Sequence, residues 1–175
     1  MATVVQVSQV YKSYGSNPLL HNSDFHLQHG NIYPLLGASG SGKTTILSLI
    51  VGLIRAEKGR ILVFDKQPGD RSSGIPGPRL GFMPQDSGLH KEFTVQETFY
   101  YFGRLYGMSR ESIKEQGTFL SDLLELPPQN HMVQNCSGGQ KRRLSLAVAL
   151  MHYPDLLILD EPTVGIGSVQ FGLTL

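Results

Sequence analysis

Cysteine is almost absent from this sequence of 175 residues, in which Cys136 is the only one. A single cysteine excludes an internal disulfide and suits a reducing compartment. No run approaches the roughly 18 consecutive apolar residues that a transmembrane helix needs. The start of the chain also lacks the continuous apolar region of a signal peptide. We therefore expect a cytosolic chain, or the cytosolic face of something larger.

An excess of charge of either sign is also missing, since the formal net charge is +1. That balance gives no electrostatic reason to expect a nucleic acid or an anionic bilayer, and we predict no nucleic-acid partner. Charged residues make up 17% and hydrophobic residues 40%, which indicates a globular chain long enough for one ordinary domain. Internal repeats and coiled-coil heptads are absent.

One stretch fits G-x-x-x-x-G-K-[ST], the pattern of a phosphate-binding loop, in every position. Its glycines let backbone N–H groups curl around an anion, the lysine reaches the outer phosphates, and the first threonine binds Mg²⁺. The sequence therefore predicts binding of a nucleoside triphosphate. The stretch consists of Gly37, Ala38, Ser39, Gly40, Ser41, Gly42, Lys43, Thr44 and Thr45.

The flanks of this loop predict a strand before it and a helix after it. Ile32, Leu35 and Leu36 form an apolar run typical of a buried parallel strand, although Pro34 predicts a local bulge there. The helix would present one apolar face to the core and its N-terminus to the phosphates. That face consists of Ile46, Leu49, Ile50 and Leu53.

Further elements are predicted along the chain. Alternation around residues 5–7, 25–27 and 60–64 indicates strands, residues 67–78 form a loop, and residues 80–85 form another strand. Residues 94–108 and 109–126 have helical periodicity and predict a helical insertion between two halves of an α/β core. One apolar face consists of Val95, Phe99, Phe102 and Tyr106, and the other of Leu120, Leu123, Leu124 and Leu126.

Towards its end, the chain predicts a capped helix and then a central strand. Ser137 is a predicted N-cap, and Leu144, Val148 and Met151 follow it in helical register. Leu156 to Leu159 is a continuous apolar run, which would deliver Asp160 and Glu161 at the edge where open α/β sheets bind ligands.

Taken in order, four signals resemble the nucleotide-binding domain of ATP-binding-cassette (ABC) transporters. They are the phosphate loop, Gln85 at a strand end, the stretch from Cys136 to Gln140, and the strand that ends in Asp160-Glu161. The phosphate loop alone indicates only a P-loop NTPase. The Cys-Ser-Gly-Gly-Gln stretch followed by a helix and an Asp-Glu strand is specific to ABC proteins. The sequence after Asp160 resembles the G and H subfamilies most.

The resemblance implies ATP and Mg²⁺ as ligands and gives several residues a role. Asp160 and Gln85 would join Thr44 at Mg²⁺, and Glu161 would be the general base, with Gln85 and Lys43 assisting catalysis. Tyr14 resembles the aromatic residue that stacks on adenine, with Tyr11 as the competing candidate.

A second anion site is predicted at the N-terminus of the capped helix, at Ser137, Gly138, Gly139 and Gln140. Because the phosphate loop already accounts for the chain's own nucleotide, this site would serve the nucleotide of a second nucleotide-binding domain in a head-to-tail dimer. The resemblance also implies an ABC transporter transmembrane domain as partner, at the cytoplasmic side of a membrane. Cys136 replaces the commoner leucine as a small hydrophobe, and residues 141–143 are interpreted as a solvated helix start.

The predicted fold is α/β, a P-loop NTPase with a RecA-like core, an N-terminal antiparallel β region and an inserted helical subdomain, incomplete at its C-terminus. One nucleotide-binding domain would occupy residues 1–175. Residues 1–85 would form the first part of the core, 86–135 the helical subdomain, 136–166 the signature helix and Walker B strand, and 167–175 a divergent tail.

The family pattern breaks near the end, where Gly167 replaces an expected aspartate. All six histidines precede Asp160, so none can be the family's switch histidine. We therefore expect a C-terminally truncated cassette that hydrolyses ATP weakly or not at all, since losing one γ-phosphate contact costs about 10²- to 10³-fold in rate. The alternatives are a non-catalytic module that binds nucleotide or dimerises, and a soluble ABC ATPase acting on DNA or ribosomes, which the near-neutral charge disfavours.

Overall fold

The computed structural model describes residues 2–70 and 72–162. The chain divides into two compact units, Met1–Leu80 and Gly81–Leu175. The predicted tail at 167–175, with its substitution at Gly167, lies outside the described residues. The predicted boundary at 85/86 remains a prediction.

The first unit is built on an antiparallel sheet of three strands in the order β2-β1-β3. Strand β1 covers Thr3–Tyr14, β2 Asn17–Gln28 and β3 Lys58–Val63. Val5 pairs with Leu27 on one side and with Val63 on the other, and both valines are fully buried. The antiparallel β region predicted from the alternation around residue 5 is therefore confirmed.

Helix α1, Lys43–Val51, follows the phosphate loop and buries Ile46, Leu49 and Ile50, as predicted. Gly52 ends the helix in the left-handed conformation (φ 82°) and donates its N–H to Leu49. Leu53 donates to Ser48, which completes a Schellman motif. Because the helix stops there, the prediction that Leu53 belongs to the buried face is wrong, and its side chain is exposed.

The strand predicted before the phosphate loop does not form. Residues 31–38 have no regular secondary structure, and Ile32 and Leu36 are 82% and 87% exposed. Pro34 has no N–H to give to a ladder, and among the described residues no strand pairs with this segment. An apolar run can be buried as a strand only where sheet neighbours flank it.

The second unit surrounds an apolar cluster to which three helices contribute. Helix α2 covers Val95–Leu105, α3 Arg110–Leu123 and α4 Gly138–Leu150, with a short 3₁₀ helix at Val133–Asn135. The predicted helical region is thus confirmed, with shorter helices than the periodicity suggested. The core of the cluster includes Met83, Val95, Phe99, Ile113, Leu120, Leu124, Leu144, Ala147 and Met151.

Leu123 is exposed, so its predicted membership of the apolar cluster is wrong. The buried stripe of α3 runs through Ile113 and Leu120 to Leu124 at spacings of seven and four, and Leu123 lies off that line.

A two-stranded sheet completes the second unit. Strand β4, Leu80–Met83, neighbours β5, Leu156–Leu159. The Asp160 N–H donates to the Met83 carbonyl at 2.9 Å, so the ladder continues one residue past β5. Gln85, Asp160 and Glu161 therefore lie just beyond the ends of these two strands.

Candidate nucleotide-binding and catalytic site

The phosphate loop of the first unit adopts a curled backbone that only glycine makes easy. Gly40 and Gly42 have φ values of 77° and 90°, in the left-handed region. A Cβ on Gly37 would come within 2.6 Å of the Ser41 Oγ. Gly42 is the N-cap of α1 and has no side chain to cap the helix. The first N–H groups of α1 are therefore left to an external acceptor.

Lys43 extends over this loop. Its Nζ donates to the carbonyls of Gly37 and Ala38, each at 2.8 Å. Within the described residues its ammonium makes no ion pair with a carboxylate. Because the carbonyls that accept these hydrogen bonds are neutral, the positive charge of Lys43 stays available for a phosphate.

The remaining loop residues lie where a ligand can reach them. Thr44, the second residue of α1, is exposed, as are Ala38, Ser39, Gly40 and Ser41, whereas Thr45 is half-buried. A cleft of about 410 Å³ lies beside the loop, and its lining includes Leu20, Asp24, Gly37, Ser41, Gly42 and Lys43.

Of the two aromatic candidates for adenine, Tyr14 is the more accessible. Tyr14 ends β1 and is 54% exposed, with Lys12 Nζ 5.6 Å from its ring centroid. Tyr11 is half-buried and packs edge-on against His21 with centroids 5.1 Å apart. An exposed ring has a free face for a base, so the geometry favours Tyr14.

In the second unit, the structure brings Gln85 and Glu161 together. Gln85 Nε2 donates to Glu161 Oε2 at 3.2 Å, although the two residues are 76 positions apart. Glu161 is exposed and has a φ of 51°, a left-handed backbone conformation that is strained for a glutamate. This exposed carboxylate, oriented by an amide, can accept a proton from water.

Asp160, the residue before Glu161, is buried, whereas Glu161 is exposed. Asp160 is 3% exposed, and its Oδ2 is buried without a hydrogen-bond partner among the described residues. An orphaned carboxylate oxygen is costly unless something outside the protein binds it. Mg²⁺ in phosphoryl-transfer sites takes few protein ligands, commonly one or two carboxylates, with phosphates and water completing its shell. Asp160 therefore fits the predicted metal.

The signature stretch forms the N-terminus of α4 through a capping box. Ser137 Oγ accepts from the Gln140 N–H at 3.2 Å, and Gln140 Oε1 accepts from the Ser137 N–H at 2.8 Å. The predicted N-cap is confirmed. In the part of the chain that the structure describes, the Ser137 hydroxyl and the N–H groups of Gly138 and Gly139 donate to no protein acceptor, so an anion could accept from them, whereas the Gln140 oxygen is already engaged in the cap.

Cys136 is buried, and its Sγ donates weakly to the Met132 carbonyl at 3.6 Å. Burial raises the pKa of the Cys136 thiol, and the charge of Lys141 only partly opposes this. A buried thiol that resists ionisation behaves as a small hydrophobe.

Arg142 is the site residue that sequence reasoning missed. The interpretation of residues 141–143 as a solvated helix start is wrong here, because Arg142 is 6% exposed. Its guanidinium donates to four backbone carbonyls just beyond β4 and β5, those of Pro84, Gln85, Asp160 and Glu161. A run of basic residues gives no signal of such burial, since the acceptors lie 18 to 58 positions away.

Two features define the class of P-loop nucleotide-binding cassettes. One is the glycine loop with its lysine, and the other is the capped helix followed by a strand that leads to a carboxylate pair. The sequence model of the ABC transporter family matches residues 20–164. The chain belongs to the ABC transporter family.

Among curated relatives, ABC transporter G family members 23 and 20 of Dictyostelium discoideum are each 42% identical over 163 residues. The alignment covers 93% of this chain but 23% and 22% of those proteins. Nod factor export ATP-binding protein I of Paraburkholderia xenovorans (strain LB400) is 37% identical over 163 residues, which is 53% of its length. The chain thus spans from under a quarter to about half of these relatives, and the predicted likeness to the G subfamily is confirmed.

Solved structures support the fold class. An ATP-binding subunit of an ABC transporter superposes with a TM-score of 0.85 at 23% identity, covering 95% of this chain and 69% of that one. A dimeric ATP-binding cassette in a post-hydrolysis state with ADP and Pi gives a TM-score of 0.82 at 26% identity, covering 94% of this chain and 76% of that one. The P-loop NTPase fold with an N-terminal antiparallel region is confirmed.

Proposed function

We propose that this chain binds Mg·ATP and hydrolyses it as the cassette of an ATP-driven transporter. The observation that carries the proposal is the pair at the end of β5. Asp160 has a buried carboxylate oxygen with no hydrogen-bond partner in residues 2–70 and 72–162, and the next residue, Glu161, offers an exposed carboxylate oriented by Gln85. The Asp160 carboxylate suits the role of a metal ligand, and the Glu161 carboxylate suits the role of a base for a water molecule.

The predicted site residues have separate roles in this proposal. The loop N–H groups and Lys43 would bind the phosphates, Thr44 would give its hydroxyl to Mg²⁺, and Tyr14 would stack on adenine. Bound Mg²⁺ would neutralise charge on the β- and γ-phosphates. Asp160 and Gln85 would supply oxygen ligands to Mg²⁺.

Glu161 would accept a proton from water as the water oxygen bonds to the γ-phosphorus. The bond between that phosphorus and the β–γ bridging oxygen breaks, and ADP and phosphate leave. Gln85 orients the Glu161 carboxylate through its amide N–H.

The capped end of α4 favours a second cassette as partner. The free donors at Ser137, Gly138 and Gly139 would bind the γ-phosphate of the nucleotide held by that cassette, in a head-to-tail dimer. None of the helices within the described ranges has the length and hydrophobicity needed to span a bilayer. We propose that membrane helices of an ABC transporter domain couple to the cassette, which would lie at the cytoplasmic side of that membrane.

The first test is equilibrium binding of Mg·ATP by calorimetry to the wild type and Lys43→Ala. Losing a charge-assisted hydrogen bond costs about 1.5–3 kcal/mol, so the dissociation constant should rise about 10- to 150-fold. Lys66→Ala is the matched control, because Lys66 also donates to a backbone carbonyl of the first unit, that of Ser72, but lies outside the loop. Equal affinity of the wild type and Lys43→Ala would contradict the proposed phosphate site.

Release of phosphate under single-turnover conditions then separates an ATPase from a module that only binds nucleotide. We expect release that requires both Mg²⁺ and Glu161. ATP bound and recovered intact would refute hydrolysis while leaving the binding role in place.

A further inference from the structure

The backbone that carries Gln85 and Glu161 is held by a single side chain from another element. Arg142, in the second turn of α4, donates from Nη1 to the carbonyls of Pro84 and Gln85 at 2.6 and 2.7 Å. Its Nη2 donates to the carbonyls of Asp160 and Glu161, the latter at 2.7 Å. We call this arrangement the Arg142 clamp.

The clamp lies where the sheet no longer holds the chain. Within the described ranges, the last ladder bond of this sheet edge joins the Asp160 N–H to the Met83 carbonyl. Beyond it, Glu161 is in a strained left-handed conformation, which persists only when the surroundings impose it. The bond from Arg142 to the Glu161 carbonyl is a contact that can impose it.

The chemistry of the clamp requires arginine. A planar guanidinium presents donors in a fixed fork, whereas a lysine ammonium is a point charge on a flexible stem. Within residues 2–70 and 72–162, no carboxylate forms an ion pair with Arg142. Its buried charge is therefore stabilised by carbonyl dipoles alone, and each of these belongs to a residue within one position of Gln85 or Glu161.

We propose that Arg142 is a positioning residue for ATP hydrolysis: it fixes the backbone of Gln85 and Glu161 and so sets how their paired side chains meet the attacking water. This inference rests on the proposed function.

The test compares Arg142→Lys and Arg142→Gln with Arg143→Gln in the purified protein. Arg143 is the matched control, since it is the adjacent arginine and, among the described residues, its one hydrogen bond is long, 3.3 Å to the Glu125 carbonyl. A displacement of the order of 1 Å at a reacting group can cost about 10²-fold in rate. We expect kcat to fall about 10²-fold in Arg142→Gln and about 10-fold in Arg142→Lys. The affinity for Mg·ATP should fall less than kcat, because the loop N–H groups and Lys43 that would bind the phosphates are unchanged in these variants. Arg143→Gln should match the wild type.

Hydrogen–deuterium exchange without nucleotide gives a readout that is independent of catalysis. In Arg142→Lys and Arg142→Gln, exchange should rise in peptides covering residues 84–86 and 159–162, and stay unchanged in α2. A rise throughout the second unit would show a general structural role and overturn the proposal. An unchanged kcat, or unchanged exchange at both strand ends, would also overturn it.

Binding and hydrolysis of Mg·ATP by the wild type test the proposed function separately. Wild-type hydrolysis with an unaffected Arg142→Gln variant refutes the positioning role alone. A folded wild type that neither binds nor hydrolyses Mg·ATP refutes the proposed function, and the catalytic role of Arg142 with it.

Discussion

Ser137 performs two physical tasks that substitution can separate. Its Oγ accepts the Gln140 N–H and so caps α4, while its hydroxyl proton remains free for a phosphate. Ser137→Ala removes both capabilities. Ser137→Asp keeps the cap acceptor and adds a negative charge at the positive end of the helix, but it repels an anion and cannot donate to one when ionised.

The magnitudes follow from these contacts. Replacing an N-cap serine by alanine costs about 1 kcal/mol, which lowers the unfolding temperature of a chain of this size by about 2–4 °C. An aspartate at the same position should leave stability unchanged or raise it by about 0.3–1 kcal/mol. Two like charges about 4 Å apart at an effective dielectric constant of about 20 repel by roughly 4 kcal/mol, which corresponds to about a 10³-fold loss of affinity.

The assay pairs thermal unfolding with sedimentation of the protein in ATP, using a Glu161→Gln background so that nucleotide persists. We expect Ser137→Asp to be as stable as its parent and to bind ATP as a monomer, yet to show no ATP-dependent dimer. Ser109→Asp is the matched control, because Ser109 caps α3 with the same geometry, its Oγ accepting from the Ser112 N–H at 3.1 Å. ATP-dependent dimerisation of Ser137→Asp equal to that of Ser109→Asp would refute the reasoning.

Three further predictions concern single side chains. Glu161→Gln should bind Mg·ATP normally and slow phosphate release about 10²- to 10⁴-fold; normal release would remove Glu161 from the role of base. Alkylation of native Cys136 near pH 8 should be at least about tenfold slower than in urea, because burial raises the pKa of its thiol; equal rates would contradict the buried position. The pKa of Glu57 is lowered by hydrogen bonds from the Ser13 hydroxyl and N–H. Since the folded state favours the Glu57 carboxylate, this stabilisation is present above the unfolded pKa and is lost as pH falls through the lower folded pKa. The unfolding temperature of Glu57→Gln should therefore decline less than that of the wild type below about pH 4.5; parallel declines would refute the linkage.

The features that could be predicted from the sequence are those with local causes. The capping box at Ser137 needs only Gln140 three residues later, and the alternation at Val5 and Val7 needs only a sheet with one buried face. The phosphate loop is equally local, since its glycines and Lys43 act within one turn of chain.

The features that could not be predicted depend on distant partners or on where an element stops. Ile32 to Leu36 has the composition of a buried strand, but composition does not show whether sheet neighbours will flank it. Leu53 follows the helical period, yet Gly52 ends the helix first. Arg142 has the sequence context of a solvated residue, and its burial depends on carbonyls that the fold brings from two strand ends.

The central claim is that this chain binds Mg·ATP through the glycine loop with its Lys43 ammonium and through Asp160, whose buried oxygen has no hydrogen-bond partner within the described residues. The most direct test is calorimetric titration of ATP into the folded wild type, once with Mg²⁺ and once with EDTA, alongside Asp160→Asn. We predict saturable binding that weakens when Mg²⁺ is removed, and a smaller effect of Mg²⁺ in Asp160→Asn. A folded protein that shows no saturable heat with ATP, or the same affinity with and without Mg²⁺, would contradict the account.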